Sequence, residues 1–316
     1  MKAVTLSNGW VRYRRQWQLQ LFVFLGLVWL LLFSWAPLFG IVIAFKDYSI
    51  RTGVAGIFTS QFNNFKHFVT FFNYYNFATL VRNTLILSVT KLLATFPAAI
   101  IFALLLNEVR NKAAKSVMQT VSYLPHFISW VLVYTISLYI LGEQNGIINE
   151  LLQKMGLIST PIPFLSSDKM FYGLAIFLSL WKTTGWSAII FLASITNVDP
   201  TLYEAAAVDG AGRMRRMWHV TLPGILPAVV TVLVINIGAM LGGGMGGSNF
   251  ELSYMFGNVT NCNTSSIIQT YSFTMGLSKG RFAFATAVDL CQSVISILMV
   301  ISSNWAAKKI SGSGLF

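Results

Sequence analysis

The side chains able to do chemistry in this 316-residue sequence are few, and their spacing does not suit bond making. His67, His126 and His219 have no metal-ligand spacing, and Cys262 and Cys291 read as plain thiols rather than a disulfide pair. The nearest text to a phosphate-cradling loop, Gly276-Leu277-Ser278-Lys279-Gly280, lacks the required order, and neither His-Glu-x-x-His nor Gly-x-Ser-x-Gly occurs. What remains is recognition chemistry. Lys182 stands between Trp181 and Trp186, where indole faces offer flat apolar surfaces and an ammonium donates to polar acceptors. Asn236, Asp289 and Gln292 are further polar groups inside apolar runs. The other unusual stretch is 202–223, which combines an acid, small residues, two glycines and a basic cluster.

Composition sets the elements that must carry these residues. Hydrophobic residues are 55% of the chain and charged residues 10%, and the mean hydropathy is +0.65. Soluble domains carry about 25% charged residues, so this chain cannot clothe a water-facing surface. Six apolar runs lie at about 21–45, 83–106, 116–141, 170–195, 224–244 and 282–306. Each is long enough to cross a hydrocarbon core of about 30 Å at about 1.5 Å rise per residue. Lipid cannot satisfy backbone polar groups, so the runs are expected to be helices. The first run follows Arg12, Arg14 and Arg15, as a signal peptide would. Its 25 uncharged residues exceed a signal core of roughly 7–15, and it is read as a retained span. The expectation is an all-α integral membrane protein: a tail over 1–20, a six-span domain over 21–306 and a tail over 307–316.

Orientation follows from charge. With both termini in the cytoplasm, the inner segments hold twelve Lys and Arg against eight in the longer outer segments, which favours that arrangement. The net charge of +12 does not indicate nucleic acid, because the basic residues are scattered through short loops. Pro97 and Pro125 are expected to kink their helices, and Lys91 to snorkel toward the outer face. The glycine run 242–247 either breaks the fifth span at the outer mouth or makes a tight turn. Aromatic residues in the outer loop 46–82 serve equally as interfacial anchors or as partner contacts.

The segment between the fourth and fifth spans starts after Asp199-Pro200-Thr201, a helix-start signal. A short Ala-rich helix follows, Gly210 and Gly212 permit a sharp turn, and a basic segment leads to Pro223, which suits the first turn of the next helix. Composition alone equally allows an ordinary amphipathic turn. The spacing is more specific. Glu204-Ala205-Ala206, three residues, Gly210, nine residues, Val220, one residue and Leu222-Pro223 resembles the EAA signature of ABC importer permeases. Met217 stands where an aromatic is common in that signature.

That resemblance implies a type I ABC importer permease fold in which this loop docks on an ATPase. Glu204 would face a basic group, Gly210 would permit the turn, and Ala205, Ala206 and Ala211 would allow close approach. Asp209, Arg213, Leu222 and Pro223 complete the coupling set. Weaker likenesses, in Leu124-Pro125-His126-Phe127-Ile128-Ser129-Trp130, Gly146-Ile147-Ile148-Asn149, Phe282-Ala283-Phe284-Ala285-Thr286-Ala287-Val288 and Ser313-Gly314-Leu315-Phe316, resemble the polysaccharide-type, maltose-transporter-related branch of the carbohydrate-uptake group. The implied partners are a second homologous permease, two nucleotide-binding ATPase subunits, an extracellular or periplasmic solute-binding protein and membrane lipid. ATP and Mg2+ would sit on the ATPase, with no cofactor on this chain, and the setting would be a bacterial or archaeal cell membrane. A permease for peptides, phosphate or polyamines, or a secondary transporter, is the competing class. Trp181, Lys182, Trp186, Asn236, Asp289 and Gln292 are candidate pathway residues. The alternative stays open that Lys182 pairs with a helix carbonyl or with Asp289, and that Asn236 and Gln292 glue helices together.

Overall fold

The computed structural model describes residues 16–241, 249–312 and 314; Arg12, Arg14, Arg15, the glycine run 242–247 and residues 313, 315 and 316 lie outside that set. In chain order the principal helices are α1 (Trp17–Leu30), α2 (Lys66–Phe72), α3 (Phe77–Asn107), α4 (Lys112–Tyr123), α5 (Trp130–Leu141), α6 (Ile147–Lys154), α7 (Asp168–Thr196), α8 (Pro200–Val208), α9 (Arg213–Arg216), α10 (Leu226–Ala239), α11 (Asn249–Phe256), α12 (Cys262–Ser265), α13 (Ile268–Phe273) and α14 (Phe282–Ser311). The extended pairing among the described residues is one isolated bridge, Lys46 with Phe62.

Four helical stretches are long and apolar enough to cross a membrane alone: Trp17–Phe45, α3, α7 and Phe282–Lys309. Two more reach that length only as bent pairs, Lys112–Phe127 with α5 at 97° and Arg213–Gly224 with α10 at 61°. The count is therefore four, or up to six if each bent pair is one crossing.

The run expected as one helix over 116–141 is broken. Pro125 removes a backbone donor, the chain narrows to a 3-10 turn over Leu124–Phe127, and Ile128 and Ser129 are extended. The Ser129 hydroxyl then accepts from Leu132 N at 3.3 Å and restarts the helix as α5. Pro97, by contrast, lies inside α3 without ending it.

The central pair is α3 against α7. Ala99 and Ala103 of α3 and Ala188 of α7 are buried in one cluster with Leu104, Phe191, Ile195 and Ile225. Small residues let helix backbones approach where lipid supplies no hydrophobic drive between helices. Gly185 is the extreme case: a Cβ there would lie 2.2 Å from the Ser122 carbonyl oxygen, so α7 and α4 can meet only at glycine.

Over Trp17–Leu30, α1 has no buried residue, and its apolar side chains are exposed all round. A helix of that pattern needs lipid or another subunit as its solvent. Its continuation Ala36–Phe45 packs on α14, where Ala44 is buried.

Buried asparagines staple the loops at one end of the bundle. The Asn149 amide donates to the Gly142 and Ile162 carbonyls at 3.0 Å each and accepts from Ile162 N at 2.9 Å. Asn83 donates to the Asn263 and Ser266 carbonyls at 2.8 and 2.9 Å, and its oxygen accepts from the Tyr172 hydroxyl at 3.0 Å. Each donates both amide hydrogens to backbone carbonyls that would otherwise be buried unpaired.

Candidate coupling hairpin and translocation pathway

The segment after α7 folds as a two-helix hairpin. Asp199 caps α8 by accepting from Thr201 N at 2.9 Å, with Pro200 in the first turn. The backbone and hydroxyl hydrogen bonds from Thr201 hold the Asp199 carboxyl below its ordinary value, so this cap is charged at neutral pH. At the other end, Gly210 has φ +73°; its N–H donates to the Ala207 carbonyl at 3.1 Å and that of Ala211 to Ala206 at 2.9 Å. This is the Schellman arrangement, which needs the left-handed backbone that glycine adopts without steric cost. Gly210→Val is expected to cost about 1–2 kcal/mol of local stability. It would be read as roughly 5–30-fold faster amide exchange across the hairpin; unchanged exchange would show that the turn does not need the positive φ.

Tyr203 ties the two arms together, its hydroxyl 3.1 Å from Thr221 Oγ1. Tyr203, Met217, Val220 and Leu222 pack against the chain's own Phe191–Ile225 cluster. Ala206 and Ala211 are half-buried beside them, whereas Glu204, Ala205, Asp209, Gly210, Arg213 and Pro223 are exposed. So are Leu202, Met214, Trp218 and Val208, the last 88% exposed. The hairpin is thus anchored by an inner apolar face and presents Glu204 on an outer face edged by apolar side chains. It sits at the C-terminal end of α3: a cavity of about 270 Å³ is lined by Asn107, Glu108, Arg110, Tyr203, Arg213 and Arg216.

Lys182 is 7% exposed, and its ammonium donates to backbone carbonyls at the α4–α5 break: His126 at 2.8 Å, Ile128, and Pro125 at 3.4 Å. It also stands 5.6 Å from the Trp130 ring centroid. Its partners are therefore the carbonyls freed by the broken helix. No ion pair joins it to Asp289; those among the described residues are Lys66–Asp47 and Lys154–Glu150, both exposed. Trp186 stacks on His126 at 4.5 Å with an interplanar angle of 3°, and Trp181 is 44% exposed.

Lys91 requires a correction. It does not snorkel: the side chain is buried and donates to Asn249 Oδ1 at 3.0 Å. Asn249 in turn donates to Ser88 Oγ at 2.8 Å, and Ser88 donates to the Met240 carbonyl at 2.8 Å. Gln269 and Gln292 both donate to the Leu241 carbonyl. The carbonyls at the end of α10 are thus satisfied by side chains of α3, α13, α14 and, through Asn249, α11. Inward partners made snorkelling unnecessary. Ser88, Asn249 and Gln269 were missed from sequence because each is unremarkable until its neighbours are known.

Asp289 and Gln292 are brought together. With Phe250, Gln269, Ser272 and Phe273 they line a cavity of about 350 Å³ between α11, α13 and α14, and Asp289 is exposed to it. Asn236 stands apart on α10, half-buried and without a hydrogen-bond partner among the described residues.

This architecture has known counterparts. The family described as "Binding-protein-dependent transport system inner membrane component" matches residues 95–312. The chain belongs to that family. Among its relatives, Protein LplB of Bacillus subtilis (strain 168) is 42% identical over 303 residues, 96% of this chain and 92% of the relative. The polygalacturonan/rhamnogalacturonan transport system permease protein YteP of the same strain is 41% identical over 306 residues, 97% of this chain and 92% of that one. A crystal structure of a bacterial ABC transporter involved in import of the acidic polysaccharide alginate contains a chain that superposes with a TM-score of 0.83 at 33% identity, covering 95% of this chain and 98% of that one. A second structure of that kind, in complex with an alginate pentasaccharide-bound periplasmic protein, also gives 0.83. This binding-protein-dependent permease therefore has the type I ABC permease fold and is a multi-pass membrane component of a bacterial transport system.

Proposed function

We propose that this permease is the transmembrane subunit of an ATP-driven importer of oligo- or polysaccharides. The similarity that carries this reading runs over nearly the whole chain, to relatives and a solved structure named for polysaccharide transport. In this reading six spans cross the membrane with both termini in the cytoplasm. A second permease completes the pathway, and a solute-binding protein delivers substrate outside. Two ATPase subunits, holding ATP and Mg2+, dock inside on the α8–α9 hairpin.

The geometry supplies the mechanical argument. The inner face of the hairpin is packed on α7 and α10 through the Phe191–Ile225 cluster. A push on its exposed face is transmitted to two spans rather than absorbed by a flexible loop. Closure of the ATPases would then rock these spans between inward-open and outward-open states. Asp289, exposed in a cavity with Gln269 and Gln292, and Asn236 on α10 are the polar groups of the pathway that remain available to substrate hydroxyls. Lys182 is committed to the helix break.

Reconstitution of the assembled transporter in proteoliposomes with ATP in the ATPase compartment and the binding protein outside tests this. ATP-dependent accumulation of a labelled oligosaccharide is expected. Accumulation of a peptide, phosphate or polyamine in its place would overturn the saccharide assignment, and uptake indifferent to ATP would overturn the ABC mechanism.

A further inference from the structure

A third cavity lies at the end of α3 remote from the coupling hairpin. The hairpin meets Asn107–Arg110, whereas this cavity takes in Tyr74, Asn76, Thr79 and Leu80. The 31-residue helix between them is about 46 Å long, so the two sites stand at opposite ends of the bundle. The cavity holds about 610 Å³, inside the range of about 300–1,000 Å³ typical of small-molecule sites.

Its lining has a particular chemistry. Tyr74 and Tyr271 stack at 4.7 Å, and Tyr254, 47% exposed, lines the same cavity. Hydroxyls and amides from the α2–α3 loop and from α11 to α13 fill much of the remaining wall. Ser253 lines the same cavity at 3% exposure, and its hydroxyl has no hydrogen-bond partner among the described residues. A buried hydroxyl left unpaired calls for an occupant that supplies one. Among the described lining residues Lys279 is the one charged side chain, and it makes no ion pair there; the nearby Asp168 carboxylate lies behind the wall, accepting from Asn263 Nδ2 at 3.0 Å and Thr264 Oγ1 at 3.1 Å.

We infer that this cavity is an outer subsite for an anionic saccharide, with Lys279 receiving a sugar carboxylate. Tyrosine rings take the apolar C–H face of a pyranose, the hydroxyl and amide wall takes its OH groups, and the lone ammonium takes the charge. A neutral sugar would leave Lys279 unused, and an extended apolar peptide would leave the polar wall unpaired. The inference rests on the saccharide reading of the previous section and adds both a place and a charge requirement to it.

The native thiol of Cys262 lines this cavity and is exposed, which gives a direct probe. In a Cys291→Ser background, the assembled transporter without its binding protein is labelled with a membrane-impermeant maleimide. Tri-galacturonate at about twice its dissociation constant should slow Cys262 labelling roughly threefold, maltotriose should not, and Lys279→Gln should abolish the protection. No protection by tri-galacturonate overturns the subsite. Equal protection by maltotriose, undiminished in Lys279→Gln, overturns its selectivity for charge. Shielding by the binding protein alone, whether or not saccharide is present, would make the cavity a protein-docking surface and also overturns it. Uptake measured in parallel separates this from the importer reading: oligosaccharide uptake with indifferent labelling removes the subsite only, whereas loss of both removes both.

Discussion

Lys182→Met is expected to destabilise the folded permease by about 2–6 kcal/mol. The substitution keeps the stem and deletes the ammonium that the His126 and Ile128 carbonyls accept from. Each buried acceptor left unpaired costs about 1–3 kcal/mol, and lipid offers no water to replace the donor. A lowered midpoint of thermal inactivation in detergent would show the effect, together with a loss of folded protein in the membrane. The outcome also separates two roles. If Lys182 served substrate, the variant would keep its stability and lose saccharide affinity. An unchanged thermal midpoint would therefore overturn the structural assignment.

Glu204→Arg is expected to abolish coupled uptake while leaving the permease inserted and folded. Glu204 is exposed on α8 and makes no hydrogen bond or ion pair among the described residues, so its removal takes no contact from the fold. Reversing a charge that meets a basic group across a docked interface costs about 2–5 kcal/mol, a loss of about 30-fold or more in ATPase docking. Uptake at background level, with normal expression and an unchanged thermal midpoint, is the predicted result. Normal uptake at normal expression would sink the coupling role. The pair of variants is complementary: one removes a group that the fold uses and the other a group that it does not.

The α8–α9 hairpin was legible in sequence because each of its devices is local. A cap at Asp199, a proline one residue later and a glycine at the end of α8 act over a few residues, and the structure contains all three. The break in the run 116–141 was half legible. Pro125 announces a disturbance, but its outcome, a 97° bend rather than a kink, depends on the ammonium of Lys182, 54 residues away from Ile128. The cost of freeing carbonyls at a break is tolerable only where a buried donor waits, and that donor lies on another helix.

Apolar length and charge placement by themselves determined that this is a helical membrane protein, and the fixed spacing of Glu204, Gly210 and Leu222-Pro223 determined its likeness to an importer permease. Both are properties of neighbouring residues, and lipid imposes the helix on any long apolar run. Only the tertiary structure decided what the polar residues inside those runs do. It turned Lys182 and Gln292 onto backbone carbonyls, drew Lys91 inward to Asn249, and left Asp289 in a cavity. The reason is physical: a polar group in a membrane span must find a partner, and the partners here come from segments tens to more than a hundred residues away.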